Sequence, residues 1–333
     1  LERKGKILLT GASGFVGYHL IAAAVARGYE VYAAVRKSSQ VDHLKEFPVQ
    51  YVYPDFANAA ALQQELQAQQ YDYIIHAAAA TRAPSQQAFN AANADITRNL
   101  ATAILQSGIP LKKFVFVSSL AVLGPIPYDC SDPIAENNEP HPITGYGRSK
   151  LLAEQYLREF PTLPLVTLRP TVVYGPREKD LYVMFKTLAR GMEPSIGRKN
   201  QLLSFVYVAD LVDVILDALE KPTPPGLVCN ISDGQVYNRN ELALITKRIL
   251  NKKTFRFTVP VGVVRMLASL METLYARSKK SPLLYRERVG ELTAPNWNCS
   301  IANAQQYLGY MPKYDLEKGV TESLKWYKEH NWL

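Results

Sequence analysis

The segment Thr10-Gly11-Ala12-Ser13-Gly14-Phe15-Val16-Gly17 constrains this chain more than any other, because it follows the apolar run Ile7-Leu8-Leu9 and opens a helix-like pattern. A glycine-rich turn between a strand and a helix N-terminus is how a dinucleotide diphosphate is held. Gly11 can take the tight turn out of the strand, Gly14 lets backbone N–H groups approach the phosphates, and Gly17 lets the helix pack closely on the sheet. Ser13, Phe15 and Val16 complete the expected diphosphate turn, and the positive end of the helix faces the anion. The glycine spacing differs from the common dinucleotide pattern, which has one residue and then two between its glycines, so a second motif has to interpret it.

That motif is Tyr146-Gly147-Arg148-Ser149-Lys150, which runs into the helix formers Leu151-Leu152-Ala153-Glu154-Gln155-Tyr156-Leu157. On a helix, Tyr146 and Lys150 share a face one turn apart. A phenol is too weak an acid to ionise at neutral pH, but a nearby ammonium and a cationic oxidised nicotinamide would favour the phenolate. Such a tyrosine passes a proton to or from a substrate oxygen.

With both motifs in one chain, the sequence resembles the extended branch of the short-chain dehydrogenase/reductase superfamily, the NAD-dependent epimerase/dehydratase family, over nearly its whole length. The resemblance implies an α/β fold, a doubly wound parallel sheet of the Rossmann kind with a smaller α/β cap. It makes Tyr146 the catalytic acid/base, with Lys150 tuning it and binding the nicotinamide ribose. Val115-Phe116-Val117-Ser118-Ser119, followed by Leu120-Ala121-Val122-Leu123-Gly124, is similar to the branch's strand ending in the active-site serine. That gives the role to Ser119, with Ser118 beside it in the cofactor site, and the Ser119 hydroxyl would hold the reacting oxygen against Tyr146. Asn93, within the helical segment from Pro84 to Gln106, matches the family's helix asparagine, which supports active-site geometry and a proton-relay water.

Other positions are similar to the family's cofactor cradle. Asp55-Phe56 follows the strand-like Val49-Gln50-Tyr51-Val52-Tyr53, where an acid meets the adenine amino group. His76-Ala77-Ala78-Ala79 follows Tyr73-Ile74-Ile75, and the small side chains of Ala77, Ala78 and Ala79 would let the cofactor lie close to the backbone; His76 reads as structural. Leu168-Arg169-Pro170-Thr171-Val172-Val173-Tyr174-Gly175-Pro176 resembles the branch's signature after the sixth strand, where Pro170, Thr171 and Val173 would meet the nicotinamide amide. An acid at the end of the second strand, Glu30 to Val35, would bind the ribose 2′-hydroxyl and repel a 2′-phosphate. Arg36-Lys37-Ser38-Ser39 stands there instead, a set of cations and hydroxyls suited to a phosphate. NADP(H) is therefore expected, with NAD(H) the alternative if Arg36 only stacks on adenine.

Strand-like and helix-like patterns alternate to about residue 170 and then become irregular. The expected division is a dinucleotide domain over residues 1–175, rejoined by 204–231, and a substrate cap from 176–203 and 232–333. The 333 residues, 47% hydrophobic and 20% charged, suffice for a large core and exclude a disordered chain. Cys130, Cys229 and Cys299 have no close partner in sequence, so neither a zinc site nor a disulfide framework is indicated and no metal is expected. The charged start, Leu1 to Lys6, leads straight into the first strand and leaves no room for a secretion signal, which points to the cytoplasm.

The net charge of +8 is spread over short runs such as Lys112-Lys113, Lys252-Lys253 and Arg277-Ser278-Lys279-Lys280, without the basic and aromatic interleaving of a nucleic-acid platform. No nucleic-acid partner is expected. Val259 to Tyr275 is apolar but contains Arg265 and Glu272, so it is no spanning helix. Either its apolar face lines the substrate pocket, or it makes weak contact with a membrane surface together with the basic run behind it. A homodimer through the helices around Pro84 to Gln106 and Gly145 to Phe160 is implied by the resemblance.

Leu120-Ala121 after Ser119 replaces the acid pair of the branch's dehydratases, and Leu203-Ser204 before Phe205-Val206-Tyr207 replaces the arginine and aspartate common in its nucleotide-sugar enzymes. Tyr275, Tyr285 and Trp297 suit an apolar or ring-shaped substrate, or a core. The tail, through Asn303-Ala304-Gln305-Gln306-Tyr307-Leu308-Gly309-Tyr310, resembles the subgroup of 3β-hydroxysteroid dehydrogenases and dihydroflavonol 4-reductases. The expected activity is reversible hydride transfer between a nicotinamide and a secondary alcohol or ketone of a small, largely apolar molecule. The alternatives are a nucleotide-sugar 4-epimerase with tightly bound NAD and a non-catalytic regulator that senses NADP(H).

Overall fold

In the computed structural model, which describes residues 4–275 and 284–333, the first half of the chain alternates strand and helix. The elements are β1 (Lys6–Thr10), α1 (Phe15–Ala26), β2 (Glu30–Ala34), β3 (Gln50–Val52), α2 (Ala59–Gln69), β4 (Tyr73–His76), α3 (Gln86–Asn90), α4 (Ile96–Ser107), β5 (Lys113–Val117), α5 (Gly145–Arg158) and β6 (Leu165–Pro170). Next come β7 (Val172–Tyr174), α6 (Asp180–Ala189), β8 (Met192–Ile196), β9 (Leu202–Leu203), β10 (Phe205–Tyr207), α7 (Val208–Glu220) and β11 (Leu227–Ile231). The chain ends with β12 (Tyr237–Asn238), α8 (Glu241–Leu250), β13 (Phe255–Val259), α9 (Val261–Tyr275), α10 (Arg286–Leu292), α11 (Ala302–Leu308) and α12 (Leu316–Glu329).

Seven parallel strands form the main sheet in the order β11-β6-β5-β4-β1-β2-β3. Both of its faces are covered, and the period-2 alternation of strand side chains assigns each residue to a face. Ile7, Leu9, Val31, Ala33, Ile75 and Val115 pack with Leu20 and Ile21 of α1, Leu211 and Ile215 of α7, and Leu308 of α11. Leu8, Tyr32, Ile74, Phe114 and Phe116 point the other way, onto Leu62 and Leu66 of α2, Leu100 and Ile104 of α4, and Ala153 and Leu157 of α5. Arg27 clamps α1 to α7 through Asp217 at 2.7 Å and Asp213 at 2.8 Å.

The apolar run from Leu203 to Val208, one strand by sequence, is divided. β9 pairs antiparallel with β12, β10 pairs parallel with β7, and Ser204 lies buried between them with its hydroxyl 3.4 Å from Gln235 O. β11 joins the main sheet beside β6. A second core of Tyr174, Phe185, Phe205, Tyr237, Leu242, Leu316, Val320 and Tyr327 gathers α6, α8 and α12 around these short ladders. β13 pairs with β8, and behind them Val264 and Ala268 of α9 meet Val289 of α10. The basic run Arg277 to Lys280 lies outside the described residues.

Candidate active site

β1 and β4 are neighbours at the point where the strand order reverses, and a cleft of about 680 Å³ opens beyond their carboxyl ends. Gly11, Ser13, Gly14, Phe15, Val16 and Gly17 line one wall. Gly11 sits at φ +75°, and a Cβ there would meet the Ala77 carbonyl carbon at 2.7 Å. At Gly17 a Cβ would run into the Gly11 and Ala12 carbonyl oxygens, so only glycine lets α1 leave the sheet this closely. α1 begins without a side-chain cap and with no acid in its first turn, which leaves its N–H groups directed at the cleft.

The opposite wall is formed by Ala77 and Ala79 after β4, Ser118 and Ser119 after β5, Tyr146, and Pro170, Thr171 and Val173 around β6. Ser119 caps the single turn Leu120–Val122, accepting from Ala121 N at 3.2 Å, and its hydroxyl stands beside the Tyr146 phenol. Burial pushes that phenol up to about 12; the Ser119 hydroxyl opposes the rise and the Glu291 charge adds to it. The phenol is therefore neutral at neutral pH.

Lys150 differs from expectation. Its Nζ donates to Val117 O at 2.7 Å and lies 4.2 Å from the centroid of the Phe116 ring, so the ammonium is drawn inward under the end of β5. Burial lowers its pKa to about 7, against the opposing charge of Glu154. Lys150 is fully buried behind the cleft wall.

Asn93 is also behind the wall, in a π-helical turn, Ala91–Asp95, between α3 and α4. Its Oδ1 accepts from Ala80 N at 2.7 Å, and its Nδ2 donates to Ala80 O at 3.0 Å and to Ser149 Oγ at 2.9 Å. Ser149 Oγ in turn donates to Tyr146 O at 2.7 Å. The Asn93 amide thus braces the cofactor-side loop against the catalytic helix rather than reaching the reacting atoms.

His76 has the structural place expected of it. Thr97 Oγ1 donates to Asn93 O at 2.6 Å and accepts from His76 Nε2 at 2.9 Å, while His76 Nδ1 lies 2.7 Å from Thr10 Oγ1, which also accepts from Ala78 N at 3.1 Å. Burial lowers the His76 pKa from 6.5 to about 3, with the Lys150 charge adding. An unfolded chain binds the proton near pH 6.5 and the folded one does not, so this contribution to stability is present above pH 6.5 and is lost as the pH falls towards 3. Denaturant titrations at pH 7 and pH 4 are expected to show a smaller acid loss in His76→Gln than in the wild type, and equal losses would refute the neutral ring.

The adenosine end is more open. Arg36 and Lys37 are exposed just beyond β2, whose Ala34 is in register with Thr10. Asp55 is exposed, its Oδ1 accepting from Ala57 N at 3.0 Å, and Phe56 packs on the core beneath α2 and α4. These four stand outside the cleft wall proper.

Sequence reasoning missed a cluster at the diphosphate end: Tyr18, His43, Arg177 and Lys179 also line the cleft. Arg177 sits at φ +74°, strained for a residue with a side chain, with its guanidinium 3.9 Å from the Tyr18 ring centroid and 5.5 Å from that of Trp326. Burial lowers the His43 pKa, the Arg177 charge adds, and a bond to the Ser13 backbone opposes. The charged run after Gly175-Pro176 was the only hint in the sequence. Glu287 of α10 was also missed. Its Oε2 accepts from Gly145 N at 2.5 Å and it pairs with Arg148, docking the cap on the start of α5. Of the aromatics suited to an apolar substrate or to a core, Trp297 packs with Leu120, Leu123 and Ile134, while Tyr275 is exposed at the end of α9.

The donor set fits a nicotinamide dinucleotide. Two buried polar atoms at the cleft, Thr171 Oγ1 and Arg177 Nε, have no partner among the described residues, and the glycine turn leaves backbone-lined space that a Cβ would fill.

Comparison with known proteins agrees. Residues 7–232 match the NAD dependent epimerase/dehydratase family. The N-acetyl-alpha-D-glucosaminyl-diphospho-ditrans,octacis-undecaprenol 4-epimerase of Escherichia coli O157:H7 is 28% identical over 330 residues, 96% of this chain and 94% of that protein. The ceramide reductase of Caulobacter vibrioides is 24% identical, covering 100% and 97%. Among solved structures, the UDP-glucose 4-epimerase of Thermotoga maritima superposes with a TM-score of 0.78 at 22% identity, covering 98% and 99%. The chain belongs to the NAD-dependent epimerase/dehydratase family, the extended short-chain dehydrogenases/reductases.

Proposed function

We propose that the protein is an NADP(H)-dependent oxidoreductase that interconverts a secondary alcohol and a ketone on a small, largely apolar molecule. The observation that carries this is the juxtaposition of the Ser119 hydroxyl and the Tyr146 phenol in the cleft lining, together with Thr171, whose buried hydroxyl has no partner among the described residues. The bound cofactor supplies or takes up the hydride. Tyr146 protonates the carbonyl oxygen or receives the alcohol proton, Ser119 holds that oxygen, and Asn93 and Ser149 fix the helix turn that carries the phenol. Gly11, Gly14 and Gly17 with the α1 N-terminus and Arg177 would hold the diphosphate, and Arg36 and Lys37 the 2′-phosphate. A relative that reduces ceramide supports an apolar substrate.

A second reading, 4-epimerisation of a nucleotide-linked or lipid-linked sugar, is favoured by the relatives of that activity and by two arginines at the cleft mouth. Arg82 lines the cleft and pairs with Asp180 at 2.7 Å, and Arg288 approaches the same carboxylate at 3.7 Å. Two guanidinium forks converging there could take a diphosphate in place of the arginine and aspartate pattern absent before Phe205.

Titration of cofactor-stripped protein with NADPH and NADH, read by nicotinamide fluorescence, separates the two. NADPH is expected to bind tighter, and Arg36→Ala to weaken it by roughly tenfold or more while sparing NADH, as for loss of a charge-assisted hydrogen bond. Tighter NADH binding, or NAD that survives purification, would instead favour the epimerase.

A further inference from the structure

α9 buries only Val264 and Ala268 against the rest of the cap. Its other large apolar side chains face solvent: Met266 is 64% exposed, Leu270 55% and Leu274 71%, with Val263 and Leu267 beside them. Steps of three and four residues place these side chains on one helical stripe. The strand that leads into α9 adds Phe255, 75% exposed, and Phe257, whose rings stack at 6.2 Å. None of these residues lines the cleft, so the stripe is not a wall of the substrate pocket. Folded proteins rarely leave so much apolar surface in one place without a partner.

The charges around the stripe identify that partner. Lys252 and Lys253, just before β13 and next to Phe255, are exposed and form no ion pair among the described residues. The acid of α9, Glu272, is occupied by Arg286 at 3.3 Å. A second copy of this chain would bring the same cations against one another. An anionic surface would meet both the apolar stripe and its positive rim. No described helix is long and apolar enough to cross a membrane, so α9, about 22 Å long, can only lie along one.

We propose that α9, with Phe255 and Phe257, docks the protein on the surface of a bilayer containing anionic phospholipid. α10 packs against α9 and carries Glu287 onto the first turn of the catalytic helix, so the docked face is one helix removed from Tyr146. Its use, presenting a membrane-resident apolar substrate to the cleft, rests on the oxidoreductase reading above; the docking does not.

The test is co-sedimentation of the whole chain with phosphatidylcholine vesicles, with and without about 30% phosphatidylglycerol. The protein is expected to pellet with the anionic vesicles and to be released by about 0.5 M salt. Met266→Glu/Leu270→Glu and, separately, Lys252→Gln/Lys253→Gln should each weaken partitioning by roughly tenfold or more. The second variant leaves the apolar packing untouched, so it decides the matter even if the first folds poorly. Protein that stays in the supernatant with every vesicle overturns the proposal, as does a dimer in sedimentation that Met266→Glu/Leu270→Glu dissociates. Vesicle binding is read without turnover, so failure of the oxidoreductase reading would leave this result standing.

Discussion

Tyr146→Phe is expected to lower turnover by about a thousandfold, within the range for loss of a positioned acid or base, while leaving NADPH affinity unchanged. The substitution removes one oxygen from a ring whose backbone carbonyl stays bonded to Ser149, and Ser119 keeps its cap on Ala121. The substitution leaves the diphosphate turn and the α1 N-terminus, which carry the glycines, unchanged. Because burial holds the phenol near 12, wild-type activity should show no loss of the proton donor through the neutral and mildly alkaline range. Steady-state rates with a ketone panel, paired with the fluorescence titration, measure both quantities. Turnover that survives Tyr146→Phe would remove this residue from the chemistry and move the non-catalytic, cofactor-sensing reading forward.

The largest effect on stability is expected from Arg169→Met. Arg169 and Glu154 are 2% and 3% exposed at the side chain, joined by Nε to Oε1 at 2.9 Å and Nη2 to Oε2 at 2.5 Å. Ser118 donates to the same carboxylate at 2.6 Å, and Arg169 also reaches Glu136 O at 3.1 Å. Together these bonds tie β5, β6 and α5 directly behind the Ser119–Tyr146 pair. Removing the guanidinium strands a buried carboxylate, which typically destabilises by about 3–5 kcal/mol. Arg169→Met/Glu154→Leu should recover most of that, because an apolar pair leaves no uncompensated charge. Equilibrium unfolding in urea measures both variants. A loss under about 1 kcal/mol in the single variant would mean that the pair is solvated, as exposed ion pairs are.

The continuous apolar runs of β1, β2 and β5 were legible because every strand of a sheet covered on both faces is apolar on both, and the face of each residue follows from its parity. The run from Leu203 to Val208 shows the limit of that reasoning. Its composition is that of one strand, yet its two halves pair with different partners and Ser204 turns inward between them. In the site, Gly11 and Gly17 could be read because the constraint is steric and local. Arg177 could not, because its guanidinium is aimed by a positive φ and by rings at Tyr18 and Trp326, far away in sequence.

The sequence by itself determined what neighbouring residues can do to one another: the turn that leaves β1, the helix that carries Tyr146 and Lys150, and the absence of an acid after β2. Tertiary structure decided which of those groups meet. The Lys150 ammonium goes to Val117 O, a contact 33 residues away, and not toward the phenol one turn behind it. Glu287 reaches Gly145 across 142 residues, and α9 turns its apolar stripe outward instead of into the cleft. Helical periodicity says that two side chains share a face, but burial and long-range partners decide where their polar atoms end, since each must find a hydrogen bond wherever the packed sheet and cap leave one.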